Sequence, residues 1–232
     1  EGVISAASEA ASKKMEEADS DEEKNKYENK YLFTPHRSSM YPFLTESTRR
    51  DLREILYKSY VMRGDNNNEF DNKKIAAQIS KLRAERANIM GYKTHAHFIL
   101  EENMLKTPEE VYDLLLQLWR PALKRAKVEV ADMQAVADAE GQDFKVAAWD
   151  WWHYSEKVRK AKYDLDEAAI KPYLSLDNVI QGVFTTTNKL WGLNFREIFD
   201  IDLYHPDARV WEVTDKDGSH LAIFIGDYFT RS

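Results

Sequence analysis

The sequence contains no cysteine, which excludes a disulfide framework, thiolate catalysis and every cysteine-based zinc site. Glycine and proline are scarce, eight and six in 232 residues, and that scarcity favours long helices over a fold built on many turns. Basic residues are not in excess either. The 33 Lys and Arg stand against 40 Asp and Glu, a formal charge of -7, with the two signs interleaved. No basic face for phosphates follows, so nucleic acid is not an expected partner. No apolar run approaches the roughly 20 residues a helix needs to span a bilayer, so no membrane partner is expected.

The chain opens Glu1-Gly2-Val3, with neither an initiator Met nor a charged-then-apolar leader, and finishes Gly226-Asp227-Tyr228-Phe229-Thr230-Arg231-Ser232 without a helix stop. Both ends read as cut, and any targeting signal is expected to lie outside these residues. A cysteine-free chain suits the cytoplasm and the bacterial periplasm equally.

What is present is enough to fold. Apolar residues make up 43% and aromatics 12%, more than a disordered chain carries. Residues 3–18, rich in Ala, Ser and Glu, read as a polar helix, and the charged run Glu16–Lys30 reads as a solvated loop. Leu52, Ile55, Leu56, Tyr60 and Met62 recur at helical spacing up to Gly64, and Ile75, Ile79, Leu82 and Ile89 do so up to Gly91. The first set suits one face of its helix, and the second is expected to face inward. Thr107-Pro108-Glu109-Glu110 is a capping box with Pro at the first helical position. Pro121 is expected to kink or break the helix that follows. Leu123, Ala126, Val130, Met133 and Ala137 then form a seam for antiparallel packing that ends at Gly141. Further helices are predicted around Trp149–Lys162 and Leu176–Trp191, the latter closed by Gly192. Ala208–Thr214 and Ser219–Phe229 flank Asp215-Lys216-Asp217-Gly218 as a hairpin. The expected architecture is mainly α, a multi-helix body ending in a β-hairpin, with no internal repeat.

The chemistry-bearing residues do not assemble into a motif. No H-E-x-x-H, G-x-S-x-G, P-loop or G-x-G-x-x-G occurs. His95 and His97 are two apart, so on a helix they point to different faces. His153 and Glu156 can share a helix face, as a solvated pair. His205, in Tyr204-His205-Pro206-Asp207, suits a structural hydrogen bond in a turn. Asp215–Gly218 holds only a fragment of a calcium loop. Trp149, Trp151, Trp152 and Tyr154 read as packing anchors before they read as a carbohydrate platform. Arg63-Gly64-Asp65 reads as a helix end before it reads as an adhesion motif.

One stretch goes further. WDWWHYSEKVRKAKYDLDEAAIKPYLSLDNVIQGVF, residues 149–184, resembles a block of the thimet oligopeptidase family of zinc metallopeptidases. YHPDARVWEV at 204–213 follows in the order of that family, then a D-x-D-G turn and a strand ending GDYFTR. Upstream, TRRDLREILYKSYVMRGDNNNEFDN, IMGYKTHAHF and MLKTPEEVYDLL are similar to its helical region. The resemblance covers about residues 31–232 and is nearest to the bacterial peptidyl-dipeptidase branch. Ala208 stands where that pattern suggests a branched residue.

The resemblance implies a zincin-like, two-lobed enzyme with a channel for short peptides, in which one zinc and a glutamate general base release C-terminal dipeptides. It places the zinc ligands and that glutamate downstream of Ser232. No catalytic residue and no metal ligand is therefore expected here, no cofactor is expected in this chain although the parent enzyme would hold zinc, and substrate-contacting residues stay unassigned. Implied regions are a polar helix and charged loop at 1–30, a helical channel-wall lobe at 31–203, and a hairpin at 204–232 leading toward the catalytic part. The alternative reading is a non-catalytic helical module that binds peptides or partners.

Overall fold

The computed structural model describes residues 2–163 and 167–229. Asp164-Leu165-Asp166, within the family-like block, and Thr230–Ser232, at the end of the final motif, lie outside them. The chain divides into two compact units, Glu1–Lys162 and Tyr163–Ser232.

The first unit is helical. Its elements are α1 (Gly2–Glu16), α2 (Asp21–Asn25), α3 (Arg37–Glu46), α4 (Arg50–Val61), α5 (Lys73–Ile89), α6 (His95–Leu100), α7 (Pro108–Ala139), a 3-10 turn at Ala148–Asp150 and α8 (Trp151–Tyr163). The charged run expected as a loop contains α2. Ser20 caps it by accepting from the Glu23 N–H, and Asp21, Glu22 and Glu23 complement the positive end of its dipole.

Pro121 does not break α7, which runs 32 residues through it, about 48 Å at 1.5 Å per residue. Proline removes one hydrogen bond, and a helix this long keeps the rest on either side. The Thr107–Glu110 capping box forms at its start. Glu110 accepts from the Thr107 N–H and the Thr107 hydroxyl accepts from the Glu110 N–H.

Two apolar clusters hold this unit. Met40, Phe43 and Leu44 of α3 meet Leu56 of α4, with Tyr41, Tyr57 and Trp152 packed around them. Met133 and Ala137 of α7 meet Tyr154 of α8, with Phe144 and Trp151 alongside. Other apolar faces stay largely uncovered, including the α5 set expected inward. On α4 only Leu56 of the apolar set is buried, and the fully buried neighbour is Arg53. On α5, Ile75, Ile79, Leu82 and Ile89 are all exposed and only Ala87 is buried. The α7 seam buries Met133 and Ala137, while Leu123 and Val130 remain exposed. Periodicity identifies an apolar face; what covers it must come from elsewhere in the fold.

The second unit contains α9 (Glu167–Ile170), a 3-10 turn (Lys171–Tyr173), α10 (Leu176–Trp191) and an antiparallel sheet of β1 (Asn194–Ile198), β2 (Arg209–Thr214) and β3 (His220–Gly226) in that order. The predicted hairpin is thus two strands of three. Ser175 caps α10, and Gly192 ends it with φ +78°, a conformation that glycine adopts without strain. Phe184 stacks on Phe195 with ring centroids 4.0 Å apart and meets Trp211 edge-on. Ile180 completes this core. Arg209 joins β2 to Glu197 of β1 at 2.7 and 2.8 Å and to Asp177 of α10 at 2.8 Å.

Replacing Phe184 with Ala removes the ring shared by helix and sheet. The second unit should lose about 3–5 kcal/mol, measured as a fall in hydrogen-exchange protection of the β2 amides.

Candidate functional site

The first unit is organised around one carboxylate. Asp150, at the end of the 3-10 turn before α8, is fully buried. Arg50 and Arg53 lie three apart on α4 and so reach it from one face. Arg50 donates from Nε and Nη2 to Oδ2 at 3.1 and 2.9 Å, and Arg53 donates from Nη2 to Oδ1 at 2.8 Å. The Ala147 N–H adds a third donor group at 3.0 Å. Burial pushes the Asp150 carboxyl up, and the Arg50 and Arg53 hydrogen bonds with the Ala147 N–H more than offset it, holding it below the ordinary carboxylate value. Arg50 also lies over the Phe144 ring at 4.0 Å.

Arg53 and His153 both close the end of α3. Arg53 Nη1 donates to the Ser47 carbonyl at 2.6 Å, and His153 Nδ1 donates to the Thr45 carbonyl at 2.8 Å. His153 is therefore 7% exposed and bonded to backbone, not the solvated partner of Glu156. Glu156 pairs with Arg159 at 2.7 Å.

The remaining histidines are dispersed. His36 is the residue before α3. His95 and His97 open α6, where His97 Nδ1 bonds the Thr94 hydroxyl at 2.8 Å and His95 Nδ1 is buried without a partner. His205 Nδ1 accepts from the Asp207 N–H at 3.2 Å within its turn. His220 faces Glu212 at 3.1 Å. Among the described residues no three of His, Asp and Glu converge on a point where a metal ion would sit, so the residues present do not fit a zinc centre.

Two sequence motifs resolve into local structure. Gly64 ends its helix with φ +74°, and Asp65 bonds Lys73 at 2.5 Å, so Arg63-Gly64-Asp65 is not a free loop. Asp215–Gly218 is the β2–β3 turn, closed by Asp215 and Ser219. A cavity of about 320 Å³ lies in the second unit against β1 and β2, floored by Ala208 and Val210 with His205 beside it. Arg209 and Glu197 in its wall are already bonded to each other.

Large apolar areas remain uncovered within each unit. α5 presents Ile75, Ile79, Leu82 and Ile89, α7 presents Leu115, Leu118 and Trp119, and β3 presents Leu221, Ile223 and Ile225. Among the described residues, no helix is long and apolar enough to cross a membrane.

Residues 43–232 match the model of peptidase family M3. The chain belongs to family M3. It is 40% identical over 205 residues to a dipeptidyl carboxypeptidase of Escherichia coli (strain K12), covering 88% of this chain and 30% of that protein. It is 38% identical to the Salmonella typhimurium dipeptidyl carboxypeptidase, with the same coverage. An oligopeptidase A of Escherichia coli (strain K12) is 30% identical over 87% of this chain and 30% of its own length. The chain spans about 30% of the length of these M3 relatives.

Replacing Asp150 with Ala should destabilise the first unit by about 3–5 kcal/mol, because it strands a buried guanidinium. Urea unfolding of the variant against wild type measures it.

Proposed function

We propose that these residues are scaffold and channel wall of a zinc-dependent peptidyl-dipeptidase, which removes C-terminal dipeptides from short peptides. The observation that carries this reading is the 40% identity to a dipeptidyl carboxypeptidase across a stretch that makes up only 30% of that relative. The uncovered faces of α5, α7 and β3 support it. A segment lifted from a larger enzyme exposes the surfaces that the remainder would cover, and burying a Leu or Ile side chain stabilises by about 1.5–3 kcal/mol.

In this reading the helical region 31–203 forms wall, and residues 204–232 lead toward the catalytic part. Zinc belongs to the parent enzyme, with ligands outside these residues. The dispersed histidines agree with that division, since each described ring nitrogen contact is to a hydroxyl, a carbonyl, a backbone amide or one carboxylate. Short peptides are the substrates of the parent. Cytoplasm or periplasm is its compartment.

Two measurements test the reading. The chain dialysed against zinc should retain no stoichiometric metal and release no dipeptide from a short peptide; retention of one zinc with dipeptide release would refute the scaffold role. Exchanging Leu118 and Trp119 for Ser should change stability by no more than about 0.5 kcal/mol, because neither is buried here. The same pair in the full-length parent should lower its stability by several kcal/mol, read by denaturant unfolding of both proteins.

A further inference from the structure

The end of α3 is fastened by two side chains from elements distant in sequence. Its last carbonyls point out of the helix without intrahelical donors. Arg53 of α4 takes Ser47, and His153 of α8 takes Thr45. Thr45 and His153 are 108 residues apart, so this bond is a direct tie between two distant segments of the unit. Its surroundings are polar in an unequal way. Arg53 lies on the α4 side and Lys157 follows one turn later on α8. Glu140, just beyond α7, bonds Lys157 at 2.6 and 2.7 Å, and Asp150 in the 3-10 turn is already shared by Arg50 and Arg53. Glu140 and Asp150 are thus both already bonded to cations.

We infer that the joint between α3 and α8 is an acid-sensitive latch, closed while His153 is neutral and loosened when its ring takes up a proton beside Arg53 and Lys157. Protonation keeps the Nδ1–H donor to Thr45 and adds a positive charge to a buried position. The bond itself favours that charge, as does Glu140, but burial, Arg53 and Lys157 oppose it and prevail. The folded state thus holds the proton less tightly than the unfolded chain. Stability from this contact is complete above the ordinary value of 6.5 and declines as pH falls below it. The inference concerns the first unit alone and stands apart from the peptidase reading.

The test is hydrogen exchange of the α3 and α8 amides in the intact chain, from about pH 7 to about pH 5.5, corrected for intrinsic exchange. The opening constant of these amides should rise with acid by up to about tenfold per pH unit, while amides of β2 in the second unit stay constant. His153→Asn keeps an amide donor at the δ position and cannot titrate, so its profile should be flat. An unchanged acid response in that variant, or a uniform loss of protection across the chain, overturns the latch. If the variant does not fold, the ring proton titration of His153 in the wild-type chain decides: a midpoint below 6.5 supports the latch and one at or above it overturns it.

Discussion

A carboxylate removed from water costs several kcal/mol unless its oxygens are met by donors, and the first unit is arranged to meet those of Asp150. Two guanidiniums and one backbone N–H reach it, which requires α4 to lie beside the turn that starts α8. The arrangement is not neutral. Two positive groups face one negative group, and the surplus is handled in different ways. Arg50 remains partly solvated and stacks on Phe144, whereas Arg53, 1% exposed, also donates from Nη1 to Ser47 and leaves its buried Nε without a partner. Burial first, and then the charges of Arg53 and Lys157, hold the neighbouring His153 ring below its ordinary value, so Arg53 bears on both the ion cluster and the joint at the end of α3.

Within the first unit the fully buried charged pair, Arg53 and Asp150, belongs to that network. The clusters around Leu44 and Met133 supply that unit's apolar cores, while α5 and the front of α7 present leucines and isoleucines to solvent. Helices so exposed keep their hydrogen-bonded backbone, and Thr107 and Glu110 secure the start of α7 locally. Local capping can hold a helix in register without a core beneath it. What it cannot supply is the stabilisation from burying the apolar face.

Helix positions were legible because they depend on local chemistry. Gly64, Gly91, Gly141 and Gly192 all mark helix ends with positive φ, and the capping box sits where its four residues place it. Element type was harder where local signals conflict. Pro121 argues for a break, yet one lost hydrogen bond is a small fraction of a 32-residue helix. β1 was missed because Asn194–Ile198 is five residues with two charges, and becomes a strand by pairing with β2. α3 was missed for a similar reason: Pro42 lies inside it, and its burial against α4 decides its state.

The site was the least legible part, and the reason is long-range pairing. Arg50, Arg53 and Asp150 are separated by about a hundred residues, so no spacing rule joins them. Arg53 lies between the apolar positions of its helix and carries no signal of burial in the sequence, and His153 suits a solvated pair with Glu156. The Trp149-Asp150 opening of the family-like block drew notice only through resemblance, and resemblance to an enzyme invites a catalytic reading of an aspartate. The geometry assigns Asp150 a different task. Both oxygens are bonded to guanidiniums on α4 and the side chain is fully buried. The family-like block therefore carries, in Asp150, a residue that fixes helices to one another.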